Sequence, residues 1–311
     1  MDNFIERLES GGLPRDEDRP LFDVRDGDGR TPLFIAIETG NISAVERMLA
    51  LTADANGHSR LLSHLSTDDS MSPLHTAALS GNARMIRVIL PFSRPMHYIL
   101  QDEFDRTPLG TAAFYGVLPG IRVLVPATMY AASSYNQSDR LIQDILDDAL
   151  NEAMFPNTPF PLYLPQMASV VTMLFRAGAN GNHIRSNGRP LVTDIVATYP
   201  LGQNRANIIS VTQILSMFLQ RGVSIDIDSH DQEHRTPLLV VVARGRANNS
   251  AHNAACLLLD YGADVDAADL DGNTPLYVAT RNGDERTVAL LLSRGANPVR
   301  QKKRTRRTLF A

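Results

Sequence analysis

The sequence predicts an all-α fold, a solenoid of about seven helix-turn-helix repeats joined by finger loops and interrupted by several insertions. Three observations support this prediction. A Thr-Pro-Leu or Ser-Pro-Leu tripeptide recurs along the chain, a Leu-rich segment ending in Gly-Ala also recurs, and the two alternate. A length of 311 residues alone would suggest two domains. Repeat arrays grow without forming separate cores, however, so the periodicity carries more weight.

The tripeptide predicts the start of the inner helix of each repeat. Thr or Ser is a favourable N-cap, and the Pro that follows stands where a missing N–H costs nothing. Small Ala residues in the next turn allow neighbouring helices to approach. The copies begin at Thr31, Ser72, Thr107, Thr236 and Thr274.

The Leu-rich segment predicts the end of the outer helix. Its paired Leu residues fill the space between repeats at helical spacing, and the Gly adopts the left-handed conformation that ends the helix. Clear copies are found at 174–180, 258–266 and 291–297.

Together the two segments resemble the T-P-L-H-x-A and L-L-x-x-G-A-D/N signatures of ankyrin repeats. The resemblance is clear in repeats one to three, six and seven, and weaker in repeats four and five. It implies a stack of helical hairpins that binds another protein on its finger tips and inner helices. It also implies that His75, the His of T-P-L-H, forms hydrogen bonds between neighbouring loops rather than acting in catalysis.

The long interval between Thr107 and Thr236 must contain the two weaker repeats. We expect an inner helix over 141–153 and an outer helix over 167–176 for one, and a start at Arg189-Pro190-Leu191 for the other. The predicted segments are 1–22, a cap helix (3–10) and lead-in; 23–127, repeats one to three; 128–230, degenerate repeats four and five; 231–299, repeats six and seven; and 300–311, a basic C-terminal tail.

Insertions are predicted in two kinds of place. They either enlarge a binding face or represent loop growth, which costs only about 0.6 kcal/mol per doubling of length. Those on the finger-loop side are at 51–66, 91–101 and 128–139, and those between inner and outer helices are at 156–164, 200–206 and 246–250.

Charge and cysteine content limit the function classes. The net charge is −4, and removing the basic residues of 300–307 leaves an even more acidic body. Such a body argues against nucleic-acid binding across a broad face. Cys256 is the only cysteine, so no intramolecular disulfide forms, as is usual in a reducing compartment. Without a signal-peptide pattern or an apolar run of about 18 residues, we expect a nuclear or cytoplasmic protein.

No short motif for catalysis or cofactor binding is found. H-E-x-x-H, a Walker loop, G-x-G-x-x-G and G-x-S-x-G are all absent, so we expect no enzyme, cofactor or metal site. Asp26, Asp28 and Gly29 imitate part of a calcium loop, but a structural turn explains them. His230 and His234 have metal-like spacing but fall in a predicted finger. The alternative is a small-molecule-binding or catalytic site within the degenerate repeats, at 128–206.

Five apolar residues are predicted to contact the partner protein. They precede the tripeptide or end the inner helix, where the repeat fold dictates no residue type. Aromatic residues of this kind often dominate the energy of an interface. The alternative is that Phe114 or Tyr115 packs inward against the insertion at 91–101. The five are Met71, Leu79, Phe104, Phe114 and Tyr115.

The basic tail matches the short pattern of a nuclear import signal. Its residues are Lys302, Lys303, Arg304, Arg306 and Arg307. The alternatives are a contact to nucleic acid and a solvated charge run. An import signal on an acidic protein-binding stack would indicate a transcriptional coregulator that works through a partner such as a transcription factor. A cytoplasmic regulatory adaptor is the other role considered. We expect the chain to be a monomer.

Overall fold

The computed structural model describes residues 10, 12–27, 29–66, 70–135, 138–155, 164–185, 187–199, 211–220, 225–245 and 249–299. Within these ranges it contains fourteen α-helices and no β-strand, which confirms the all-α prediction. The predicted cap helix at 3–10 and the basic tail at 300–311 lie outside the described residues.

The helices follow one another as seven consecutive pairs. They are α1 (Pro32–Glu38) and α2 (Ile42–Leu51), α3 (Pro73–Leu79) and α4 (Ala83–Ile89), α5 (Pro108–Phe114) and α6 (Leu118–Ala132), α7 (Ser138–Met154) and α8 (Leu164–Ala177), α9 (Leu191–Thr198) and α10 (Val211–Leu219), α11 (Pro237–Arg244) and α12 (Asn249–Asp260), and α13 (Pro275–Arg281) and α14 (Glu285–Ser293). Short 3-10 helices are formed by Asp16–Leu21, Arg60–Ser63, Leu90–Phe92 and Pro95–Tyr98.

The chain divides into two compact units, Met1–Asn180 and Gly181–Ala311. In each unit the first helices of successive pairs contact one another in an inner row, and the second helices form an outer row. The Leu of each tripeptide is buried between the rows, as at Leu33, Leu74 and Leu109. The inner helices also bury their small residues, among them Ala77 and Ala112.

The tripeptides begin helices as the sequence predicts. Pro is the first residue of α1, α3, α5, α11 and α13. The side chain of the preceding residue accepts a backbone hydrogen bond at Ser72, Thr107, Thr236 and Thr274. Thr31 stands in the same place but forms no such bond.

The fingers before α1, α5, α11 and α13 share one turn. An Asp accepts hydrogen bonds from both the backbone and the side chain of the residue four positions later, which immediately precedes the Thr of the tripeptide. The pairs are Asp26 with Arg30, Asp102 with Arg106, Asp231 with Arg235, and Asp269 with Asn273. In each turn, the residue just before the Arg or Asn has a positive φ. Gly272 adopts this conformation freely, and the non-glycine residues Asp105 and His234 adopt it as well.

The predicted finger-side insertion at 128–139 is partly wrong, because residues 128–132 and 138–139 are helical. Helix α6 continues to Ala132, because Ala131 and Ala132 favour a helix and are buried there. Helix α7 begins at Ser138, earlier than expected, and reaches Met154. The insertions at 51–66 and 91–101 contain loops with 3-10 turns. Most of those at 156–164, 200–206 and 246–250 lies outside the described residues.

Candidate functional site

The finger before α5 is held in one conformation by a buried carboxylate. Asp102 Oδ1 accepts hydrogen bonds from the backbone nitrogens of Phe104 and Arg106, each at 2.9 Å. Asp102 Oδ2 accepts from Arg106 Nε at 2.9 Å. The side chains of this ion pair are almost completely buried. Phe104 is therefore presented from a rigid turn.

Arg106 joins this finger to the end of the inner helix α5. Its guanidinium lies over the Phe104 ring, 4.5 Å from the centroid, and over the Phe114 ring, 4.6 Å from that centroid. The Phe114 ring meets the Tyr115 ring edge to face, with centroids 4.9 Å apart. Both geometries are favourable for aromatic rings. We call Phe104, Arg106, Phe114 and Tyr115 the aromatic stack.

The five predicted partner-binding residues differ in exposure. Phe104 is 59% exposed, Tyr115 42% and Leu79 37%. Met71 and Phe114 are buried, at 9% and 7%. The expectation that the positions have no structural role does not hold for Phe114, which packs inward on Arg106 and Tyr115. The exposed surface at these positions is therefore formed by Leu79, Phe104 and Tyr115.

His75 connects two neighbouring repeats, as the family resemblance implies. Its Nδ1 accepts a hydrogen bond from Ser72 N at 3.2 Å, and its Nε2 lies 2.9 Å from Arg106 O. Burial lowers the pKa of His75, which favours the neutral ring. A neutral ring with its proton on Nε2 satisfies both contacts. His75 thus supports the backbone of the aromatic stack from the preceding repeat.

Arg106 was not predicted as a functional residue, although the sequence contains a signal for it. The pattern Asp-x-x-x-Arg before Thr-Pro occurs at Asp26 and Arg30, at Asp102 and Arg106, and at Asp231 and Arg235. A repeated acid and base at fixed spacing indicates a paired turn. The Arg106 guanidinium additionally lies over the rings of Phe104 and Phe114.

The other candidate residues from the sequence are in places where the fold accounts for them. Asp26 and Gly29 belong to a finger turn, as predicted: Asp26 Oδ1 accepts a hydrogen bond from Arg30 N, and Gly29 has a positive φ. The His230 and His234 rings stack with centroids 4.0 Å apart. Within the described ranges no group of His, Cys, Asp and Glu residues could hold a metal ion. Cys256 is half-buried, and burial raises the pKa of its thiol, which disfavours the reactive thiolate.

Two further predictions concern location. None of the helices in the described part of the chain has both the length and the apolar character needed to cross a membrane. The import-signal candidate, Lys302, Lys303, Arg304, Arg306 and Arg307, lies outside the described residues, so it stays a prediction.

Comparisons with known proteins agree with the repeat assignment. The family model "Ankyrin repeats (3 copies)" matches residues 15–90 and 206–302, which is more than half of the chain. The crystal structure of the ankyrin repeat domain of Bcl-3, described as a unique member of the IkappaB protein family, superposes with a TM-score of 0.60 at 20% identity. That match covers 85% of this chain and 99% of the Bcl-3 chain, and it shows a shared fold.

Curated relatives match over shorter segments. The nuclear factor NF-kappa-B p105 subunit of Gallus gallus is 27% identical over 165 residues, covering 44% of this chain and 16% of that protein. The probable palmitoyltransferase AKR2 of Saccharomyces uvarum is 35% identical over 92 residues, covering 30% of this chain and 12% of that protein. The matches therefore span a small part of each relative. The family match, the two rows of paired helices and the capped tripeptides together show that the chain belongs to the ankyrin-repeat family.

Proposed function

We propose that this chain is a non-enzymatic protein-binding module that acts through its partner, as a regulatory adaptor or a nuclear transcriptional coregulator. Membership of the ankyrin-repeat family supports protein binding. The names of two similar proteins, a nuclear factor subunit and an IkappaB family member, support the regulatory role. The basic segment at 302–307 supports a nuclear location.

The observation that carries this proposal is the exposed ring of Phe104. An aromatic side chain that leaves much of its surface in solvent gains little from burial in the free protein. Here the ring is nevertheless fixed, because Arg106 lies against one face and Asp102 fixes Arg106. A pre-ordered aromatic residue loses little entropy on binding, which favours its use as an interface anchor.

The proposed interface has an apolar centre. It is formed by Leu79, Phe104 and Tyr115, which come from α3, from a finger and from the end of α5. The side-chain ion pair of Arg106 and Asp102 is buried, so the partner meets aromatic and aliphatic surface instead of an exposed salt bridge. We therefore expect the partner to insert an apolar side chain beside Phe104.

Measured affinity for an identified partner tests the proposal. The partner is first isolated with the wild-type chain as bait and identified by mass spectrometry. Its affinity is then measured for Phe104→Ala and Tyr115→Ala. Loss of an aromatic anchor costs about 2 kcal/mol or more, which corresponds to a roughly thirtyfold weaker complex.

Tyr130→Ala is the matched control, because Tyr130 is an 83% exposed aromatic residue of the outer helix α6. We expect it to leave affinity unchanged. If Phe104→Ala and Tyr115→Ala bind as tightly as the wild type while they unfold at the same temperature, the proposed surface is wrong. A native mass spectrum of the purified chain, showing a tightly bound metabolite, would instead support the small-molecule alternative at 128–206.

A further inference from the structure

The unit Gly181–Ala311 contains a pocket of about 220 Å³. It is formed by residues of the inner helices α9 and α11 and of the fingers that precede them. Its charged lining residues are Arg189, Asp231, Arg235 and Arg244, and its other lining residues include Ala197 and Ala243. The two alanines occur near the ends of the two inner helices, where larger side chains would fill the space.

Two of these arginines already have carboxylate neighbours. Arg235 Nη2 lies 2.7 Å from Asp231 Oδ2, and Arg235 Nη1 lies 2.9 Å from Glu233 Oε2. Arg189 Nη1 lies 3.6 Å from Asp194 Oδ1, beyond hydrogen-bonding distance. The Asp194 carboxylate also accepts hydrogen bonds from the side chains of Arg185 and Asn187. Arg189 is therefore only partly neutralised.

Arg244 has no carboxylate contact within the part of the chain that the structure describes. Its guanidinium donates hydrogen bonds to Val196 O and to Tyr199 O, the latter at 3.0 Å. These carbonyls are at the C-terminal end of α9. A cation is favourable there, but the partial negative charge of the helix end is smaller than the full charge of a carboxylate. Burial lowers the pKa of Arg244, which reflects this incomplete compensation.

We propose that this pocket binds the carboxylate of a Glu or Asp side chain from an extended segment of a protein partner. The inference rests on the proposed protein-binding function and names a second contact for it. Among the described residues Arg244 contacts no carboxylate and Arg189 forms no hydrogen bond with one, so the pocket presents two arginines that can bind an anion, on a chain whose net charge is −4. Arginine forms paired hydrogen bonds with a carboxylate, so it binds this group with defined geometry.

The size of the pocket favours a side chain over a free metabolite. Small-molecule sites usually enclose roughly 300–1,000 Å³. The pocket is smaller, with Arg189 and Arg235 contributed by the fingers and Ala197, Ala243 and Arg244 by the ends of the inner helices. An extended peptide can therefore place one acidic side chain in the pocket while its backbone passes over Ala243, which is exposed.

Fluorescence anisotropy with synthetic peptides tests this proposal without the natural partner. The probe is a fluorescein-labelled peptide of alternating Glu and Ala, titrated with the full chain in low-salt buffer. A second peptide has Gln in place of every Glu, and a third has phosphoserine. We expect the Glu peptide to bind and the Gln peptide not to bind. Binding of the phosphoserine peptide alone would overturn the assignment to a carboxylate.

Two variants of the protein locate the bound peptide. Arg189→Gln removes one cation, and since a hydrogen bond to a charged group is a strong one, we expect about tenfold weaker binding. Ala243→Phe fills the pocket without changing the charge, and we expect it to abolish binding. Arg30→Gln is the matched control: Arg30 is 38% exposed against 39% for Arg189, and it precedes α1 in the other unit. We expect no change for this control.

The proposal is overturned if Ala243→Phe binds the Glu peptide as tightly as the wild type, or if Arg30→Gln weakens binding as much as Arg189→Gln. Either result would mean attraction by overall charge. Phe104→Ala should retain peptide affinity, because Phe104 belongs to the other unit. The experiments therefore distinguish a failure of the pocket proposal from a failure of the aromatic-surface proposal. Circular dichroism and thermal unfolding confirm that each variant is folded.

Discussion

At the scale of single residues, the Thr that precedes Pro-Leu does not have the same surroundings in every repeat. Thr107 Oγ1 accepts a hydrogen bond from Gly110 N at 3.2 Å. Thr31 Oγ1 is buried and has no hydrogen-bond partner among the described residues. A buried hydroxyl without a partner is destabilising relative to a methyl group of the same size. The first repeat therefore retains the capping residue without its capping bond.

Substitution by Val, which has the shape of Thr without its hydroxyl, tests this difference. Thr107→Val loses a helix cap, so we expect the free energy of unfolding to fall by about 1 kcal/mol. Thr31→Val removes an unsatisfied hydroxyl, so we expect it to unfold at the same urea concentration or a higher one. Urea titrations followed by circular dichroism give both midpoints. Equal losses in the two variants would show that Thr31 has a partner in solution.

At the scale of elements, the insertion at 91–101 contains a turn built like the start of an inner helix. In α3, His75 Nδ1 accepts from Ser72 N; in the 3-10 helix Pro95–Tyr98, His97 Nδ1 accepts from Arg94 N at 3.0 Å. Pro follows the cap in both. His97 Nε2 lies 3.1 Å from Ser63 Oγ, so the ring connects this insertion to the preceding one. Both insertions are thereby part of the packed structure.

The His97 ring predicts a loss of stability in acid. Burial lowers the pKa of His97 from 6.5 to about 4. As the pH falls below about 6.5, the unfolded chain takes up this proton first, so stability decreases until the pH reaches about 4. Each tenfold change in proton affinity is worth about 1.4 kcal/mol, which gives a loss of roughly 3–4 kcal/mol. His97→Gln should reduce this loss in urea titrations between about pH 7 and pH 4. An unchanged pH dependence would show that His97 protonates without cost.

The elements predicted from the sequence are those with local causes. A capping Thr or Ser, a Pro and a buried Leu act within one helix, so α3, α5 and the role of His75 were predictable. The turn at His97 was missed because Arg94 is not a usual cap. The approach of α7 to α5 was also missed: a Cβ at Gly110 would lie 3.8 Å from Glu152 Cγ, an ordinary van der Waals contact between the two helices. No local pattern reports such an approach.

At the scale of the whole molecule, each compact unit contains one proposed contact. The aromatic stack belongs to Met1–Asn180, and the arginine-lined pocket belongs to Gly181–Ala311. One contact is apolar and the other is cationic, so the two proposals together require a partner that supplies an apolar residue to one unit and an acidic residue to the other. Charge is also unevenly distributed along the chain, because the basic residues of 302–307 accompany an otherwise acidic sequence. The basic segment therefore differs in charge from the rest of the sequence.

The basic segment yields the last prediction. We expect that replacing Lys302, Lys303, Arg304, Arg306 and Arg307 with Ala abolishes nuclear accumulation of a fluorescent fusion too large for passive diffusion. The physical reason is that import receptors recognise clustered positive charge, which this change removes. Fluorescence microscopy gives the ratio of nuclear to cytoplasmic signal.

The control for this experiment replaces Arg281 and Arg286, both exposed, with Ala. It lowers the positive charge of the last repeat while the basic segment is kept, so nuclear accumulation should persist. Accumulation that survives the five-residue change would reject the import signal. A parent fusion that stays in the cytoplasm would do the same, and either result would favour a cytoplasmic adaptor over a coregulator. Loss of accumulation in both variants would mean that net charge, instead of the segment itself, controls location.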